Sequence, residues 1–93
     1  MKNPLKIAID YDDTWTADPE LFHGFSQLAK AQGHTCYIVT ARDPEDKILD
    51  INDLQVFYTS AEDKDTFMKF NGIDIDIWID DNPHWIGTTD KWA

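Results

Sequence analysis

Leu5-Lys6-Ile7-Ala8-Ile9-Asp10-Tyr11-Asp12-Asp13-Thr14 runs from a short apolar stretch directly into three acids and a hydroxyl. Residues 5–9 have the length and composition of a buried strand, and Asp10 ends it. A carboxylate at the end of a buried strand is costly unless something compensates its charge.

Beyond the strand, apolar segments alternate between strand-like and helix-like patterns, with no repeat, linker or low-complexity tract. Asp18-Pro19-Glu20 supplies an N-cap, a first-turn proline and an early acid, and Leu21, Phe22, Phe25, Leu28 and Ala29 succeed it at helical spacing up to Gly33. Residues 35–39, β-branched or aromatic, predict a second strand ending at Thr40. Asp43-Pro44 repeats the helix-start signal, and Ile48, Leu49, Ile51 and Leu54 predict a second helix. Residues 56–59 predict a third strand; Ser60 is a candidate cap for a helix carrying Phe67 and Phe70, which Asn71-Gly72 ends. Periodicity assigns Phe22, Phe25, Phe67 and Phe70 to the core. Ile73, Ile75, Ile77 and Ile79 alternate with Asp74, Asp76 and Trp78, which predicts a half-buried edge strand. Its open side is covered by Trp85 and Trp92 of the tail, or the Trp78/Trp85/Trp92 face pairs with a second copy of the chain. Strands joined by helices imply parallel pairing, hence a three-layer α/β/α sandwich built on a small parallel sheet.

At 93 residues the chain has interior for one domain, spanning 1–93. Its 42% hydrophobic and 13% aromatic content is that of a folded protein. Eighteen acids against eight Lys plus Arg give a formal charge of -10, which disfavours a nucleic-acid partner held by charge alone. Fifteen of the acids are Asp, a residue suited to caps, turns and metal sites. A single cysteine, Cys36, and the lack of a basic-then-apolar leader point to the cytoplasm, and no apolar run approaches the ~20 residues that span a bilayer.

In parallel α/β sheets, chemistry gathers at the carboxyl ends of the strands. There the sequence places Asp10, Asp12, Asp13 and Thr14, then Thr40 and Arg42, then Asp80 and Asp81. Two like charges ~4 Å apart repel by about 4 kcal/mol at an effective dielectric near 20, so clustered carboxylates call for a cation. With no Cys or His at zinc-site spacing, an oxygen-seeking ion such as Mg²⁺ suits this set.

These motifs resemble those of the haloacid dehalogenase (HAD) superfamily. Ile-Ala-Ile-Asp10-Tyr-Asp12-Asp13-Thr14 is similar to its first motif, a hydrophobic strand followed by Asp-x-Asp-x-Thr. The resemblance puts an aspartyl-phosphate-forming nucleophile at Asp10 and a general acid/base at Asp12. Tyr-Ile-Val-Thr40-Ala-Arg42 resembles the second motif, whose hydroxyl hydrogen-bonds the phosphoryl group. Lys64 is similar in placement to the third-motif lysine, with Lys69 as a competitor, and Trp-Ile-Asp80-Asp81-Asn-Pro resembles the acidic pair that holds Mg²⁺. By the same resemblance the metal is also bound by the Asp10 carboxylate and by the backbone carbonyl of Asp12. Asp13 departs from the family pattern, which commonly has Gly there. The likeness covers roughly residues 5 to 84, implies the strand order 3-2-1-4, and leaves no room for a cap domain.

The activity so implied is Mg²⁺-dependent hydrolysis of a phosphate monoester, the substrate being a phosphorylated small molecule or macromolecule. Several residues keep two readings. Thr14 caps its turn or touches substrate; Arg42 contacts substrate or pairs with Asp43 or Asp46; Asp81 binds the metal or makes an Asx turn; Trp15 packs or stacks on a nucleobase or sugar. A rival of another class is a weak or inactive HAD-like module that binds metal or phosphate in a protein interaction. A response-regulator receiver is disfavoured, because its acidic pair would come after the first strand and its phosphoacceptor Asp after the third, where this chain has Tyr58-Thr59.

Overall fold

The structure, a computed structural model, describes residues 3–87. In chain order the elements are β1 (Lys6–Ile9), α1 (Pro19–Ala31), β2 (Thr35–Thr40), β3 (Gln55–Tyr58), α2 (Lys64–Phe70) and β4 (Ile77–Ile79), with single 3₁₀ turns at Trp15–Ala17 and Pro83–Trp85. The four strands form one all-parallel sheet in the order β3-β2-β1-β4. The result is a small α/β domain with the strand order that the sequence motifs imply. Ile7 pairs with Cys36 on one side and with Ile77 on the other, so β1 lies in the middle of the sheet and its carboxyl end, Asp10, is central.

Alternation along β1 and β2 divides the interior. Ile7, Ile9, Cys36 and Ile38 pack with Tyr11, Trp15 and Ala29, while Ala8 and Val39 pack with Met68 of α2. The Asp18 carboxylate accepts from the Leu21 N–H at 3.1 Å, Pro19 opens α1, and Gly33, at φ 91°, lies just past its end. The cap of α2 is Asp63 rather than Ser60; Ser60 instead sits at φ 52° in the tight connection from β3.

The segment between β2 and β3 departs from expectation: it is irregular, with no helix over Ile48–Leu54. Asp43-Pro44 opens a turn closed by Asp46 N–H to Asp43 C=O at 2.9 Å, and the Ile48 N–H donates to the Tyr58 hydroxyl at 3.0 Å instead of to a helical carbonyl. Ile48 and Ile51 are buried while Leu49 is 88% exposed. These side chains thus anchor a strap across the sheet, and Asp46, Asp50, Asn52 and Asp53 weaken any helix there.

Helix faces are also narrower than periodicity suggested. α1 buries the stripe Phe22, Ser26 and Ala29, leaving Leu21 and Leu28 exposed and Phe25 at the margin. Phe70, assigned to the core by spacing, is exposed on the last turn of α2. Regular strand in the fourth segment starts only at Ile77, so the alternation does not run through from Ile73. Ile73 and Ile75 pack with Trp78 on the Met68 side, and Ile79 packs on the other side. β4 does lie at the sheet edge; Trp92 falls outside the described residues. Among the described residues, no helix is long and apolar enough to cross a membrane.

Candidate functional site

β1 and β4 are paired in register, with Ile9 opposite Ile79, so the residues just past them emerge side by side. The Asp10 N–H donates to the Ile79 carbonyl at 2.9 Å, which sets Asp10 next to Asp80 although 70 positions separate them. Lys64, the first residue of α2, reaches between them from below. Its Nζ donates to Asp10 Oδ1 at 2.9 Å and to Asp80 Oδ2 at 2.6 Å, and its side chain is 1% exposed.

Backbone and hydroxyl donors fix the remaining oxygens. Asn82 N–H donates to Asp80 Oδ1 at 2.9 Å. Thr14 Oγ1 accepts from Asp81 N–H at 3.1 Å and lies within donating distance of Asp10 Oδ2 (3.1 Å) and Asp81 Oδ1 (3.2 Å). One hydroxyl proton serves one of these two carboxylates at a time, so Thr14 ties the β1 and β4 loops together without neutralising either acid. Oxygens of Asp10, Asp80 and Asp81 all lie within 4.8 Å of one another. Burial pushes the Asp10 carboxyl up to about 6; the Lys64 ion pair opposes the rise and the Asp80 charge adds to it. Lys64 pairs with Asp10 and Asp80, and the exposed Asp81 completes the cluster, so three carboxylates share one ammonium and leave an excess of negative charge.

Asp12 takes a different direction. Its two oxygens receive the Nε and Nη2 of Arg42, each at 2.8 Å, and that fork holds the Asp12 carboxyl below the usual carboxylate range. Arg42 also reaches Asp46 at 3.4 Å and lies 5.0 Å from the centre of the Tyr11 ring. The Tyr11 hydroxyl in turn donates to Asp50 at 2.7 Å, and this bond, together with burial, pushes the phenol up to about 12. The strap between β2 and β3 is thereby tethered to the loop that leaves β1.

Together these residues border a cleft of about 210 Å³ whose walls include Asp10, Asp12, Lys64, Asp81, Asn82 and Trp85. Asp13 stands at its rim with φ 64°, a left-handed conformation, and its N–H donates to Thr16 Oγ1 at 2.9 Å. Thr40 is buried at the end of β2, where its hydroxyl accepts from the Arg42 N–H at 3.3 Å; the neighbouring Ala41, not Thr40, lines the cleft.

The chain matches no family model, no curated protein and no solved structure among those compared.

Of the residues singled out in the sequence, Asp10, Thr14, Lys64, Asp80 and Asp81 are brought into direct contact, and Asp12 and Arg42 meet beside them. Lys69 is not at the cleft; it is half-exposed and pairs with Asp65 at 3.2 Å one turn earlier on α2. The Asp12 carboxylate is not part of the three-acid cluster. Trp15 packs: it is 4% exposed, its ring 6.3 Å from that of Phe22. Of the two readings of Arg42, substrate contact or pairing with Asp43 or Asp46, the structure shows the Asp46 contact, while the closer Asp12 pair was missed, as was Trp85 as a wall of the cleft. For Trp85 a usable signal was present, because it stands four residues beyond Asp81 in a turn opened by Asn82-Pro83.

Proposed function

We propose that this protein is a phosphohydrolase of the HAD type that cleaves phosphate monoesters through an aspartyl phosphate on Asp10, on a capless three-layer core. The observation that carries the reading is the convergence of Asp10 and Asp80 on the buried ammonium of Lys64, with Asp81 alongside. A buried lysine shared by two carboxylates is more than a strand-end turn requires, and the resemblance of all four motifs gives each group a task.

The donor set suits the divalent cation that the resemblance implies: three carboxylates, all hard oxygen ligands, gathered closely and short of positive charge. Asp10, Asp80 and Asp81 would hold Mg²⁺, with the Asp12 carbonyl as the further ligand that the resemblance suggests. When bound, the ion supplies positive charge beside the phosphoryl oxygens.

Asp10 forms the new bond to phosphorus as the bond to the leaving oxygen breaks, while Lys64 offsets the negative charge shared by the carboxylate and the phosphoryl group. Thr14 keeps one Asp10 oxygen in place. Asp12 gives its proton to the leaving oxygen, then takes one from the water that attacks phosphorus, and this second displacement frees Asp10 and phosphate. Arg42 grips both Asp12 oxygens and favours the ionised carboxylate, so Asp12 must exchange that partner before it can carry a proton. A phosphoryl dianion is the natural competitor for the guanidinium, which gives Arg42 a substrate-binding role once Asp12 is released. The burial of Thr40 fits a supporting hydroxyl at the strand end better than a first contact with substrate.

The test is hydrolysis of an aryl phosphate with Mg²⁺, comparing the native chain with Asp10→Asn. Activity that disappears in the variant while circular dichroism is unchanged supports the assignment; equal rates overturn it. Binding of Mg²⁺ with no turnover in the native chain would favour the binding-module reading instead.

A further inference from the structure

We infer that Trp85 is a stacking platform for the leaving group, and that the preferred substrate is a small monophosphate whose alcohol carries a planar aromatic ring, as in a nucleoside monophosphate. This rests on the phosphohydrolase reading and adds a substrate class to it. Trp85 lines the cleft that holds Asp10 and Lys64, and it also lines a second, adjoining cavity of about 380 Å³ bordered by Ala61, Asp63, His84 and Gly87. Trp85 is thus shared by the cleft that would take a phosphoryl group and by a space large enough for a nucleoside-sized body. Trp85 is 40% exposed, so part of the indole is open to a ligand.

Its backbone is held on both sides. Trp85 N–H donates to the Asn82 carbonyl at 3.1 Å, and the next residue, Ile86, is 4% exposed with its carbonyl accepting from Asp65 N–H at 2.7 Å. The turn that presents the indole therefore continues directly from the Asp80–Asp81 pair and is anchored under α2, so the backbone carrying the ring is fixed relative to the acids. Charge narrows the occupant further. Asp12, Asp13, Asp63 and Asp81 border the two spaces, while Lys64 and Arg42 are already engaged by carboxylates. Such walls repel a second phosphate and accept a ring that bears N–H donors. Trp15, which follows the first motif, is buried against Phe22, and the Tyr11 ring within the motif is buried under Arg42, so neither is available for stacking.

The experiment compares kcat/KM for adenosine 5′-monophosphate and glycerol 3-phosphate, with Mg²⁺, in the native chain, Trp85→Ala and Trp85→Phe. The native chain should prefer the nucleotide by about ten-fold, within the range that base–aromatic stacking supplies. Trp85→Ala should bring the ratio close to one and Trp85→Phe should restore most of it, whereas general damage to the fold would lower both substrates together. No preference in the native chain, or a ratio unchanged by Trp85→Ala, overturns the proposal. If neither ester is hydrolysed, the aryl phosphate assay decides the phosphohydrolase reading separately, and calorimetric titration with adenosine 5′-monophosphate decides the platform. Binding weakened about five-fold or more by Trp85→Ala sustains it, and equal affinity or no binding ends it.

Discussion

Replacing Lys64 with Met should remove roughly 3–5 kcal/mol of stability at pH 7, the usual consequence of taking one partner from a buried ion pair. The structure shows why the loss should exceed what a surface lysine could cause. The ammonium is 2.9 Å from Asp10 and 2.6 Å from Asp80, and the side chain is 1% exposed, so no water replaces it without rearrangement. Methionine keeps most of the volume and isolates the charge. A domain of this size has a total stability on the order of 5–15 kcal/mol, so the variant should remain folded with much of its margin gone.

The sign of the pH dependence comes from Asp10. Its folded-state value of about 6 lies above the ordinary 3.8, so the native state holds that proton more tightly than the unfolded chain does. The stability contributed by that proton is fully present below 3.8 and is lost as pH rises through about 6. Lys64 pulls Asp10 downward, so Lys64→Met raises it further and extends this window toward neutrality. The deficit of the variant should therefore shrink between pH 7 and pH 5, and also when millimolar Mg²⁺ is added at pH 7. Urea unfolding at both pH values, with and without Mg²⁺, measures this. A loss under about 1 kcal/mol, or one indifferent to both pH and cation, would refute the claim that the ammonium is there to compensate charge.

Arg42→Ala should cost no more than about 1 kcal/mol of stability, because the Asp12 pair is partly exposed, yet it should raise the Asp12 carboxyl toward its ordinary value in an NMR titration. Since Arg42 holds that carboxyl low, the pair's contribution is present above the unfolded value and fades as pH falls through the depressed one; the variant should lack this acid-side slope. Tyr11→Phe should destabilise by about 1 kcal/mol through loss of the bond to Asp50, and alkaline absorbance titration should lose the phenol near 12. At Asp13, φ 64° favours glycine and penalises β-branched residues, so Asp13→Gly should be more stable than Asp13→Val by about 1 kcal/mol or more in thermal unfolding.

The strands and the acids at their ends were legible in the chain because each is a local pattern. Leu5–Ile9 is apolar wherever it is placed, Asp18-Pro19 caps a helix through contacts within four residues, and Asp10, Asp80 and Asp81 stand after strands that parallel pairing sends to one edge. Lys64 was reached only through its likeness in placement to the third-motif lysine, with Lys69 left as a competitor; the fold brings Lys64 to the acids and leaves Lys69 on Asp65. What local pattern could not settle was competition between partners far apart in sequence. Ile48, Leu49, Ile51 and Leu54 read as a helix until Tyr58 takes the Ile48 N–H and the sheet takes Ile48 and Ile51. Leu21, Phe25 and Leu28 are as apolar as Phe22, but one helix can turn only one stripe toward β2. Arg42 keeps a 3.4 Å contact with its strap neighbour Asp46, but its fork closes on Asp12, 30 positions away, because the two loops share one edge of the sheet. Composition and spacing specify which groups are present; packing in three dimensions assigns each donor to one acceptor and each helix face to one surface, and those assignments depend on distances that no one-dimensional pattern contains.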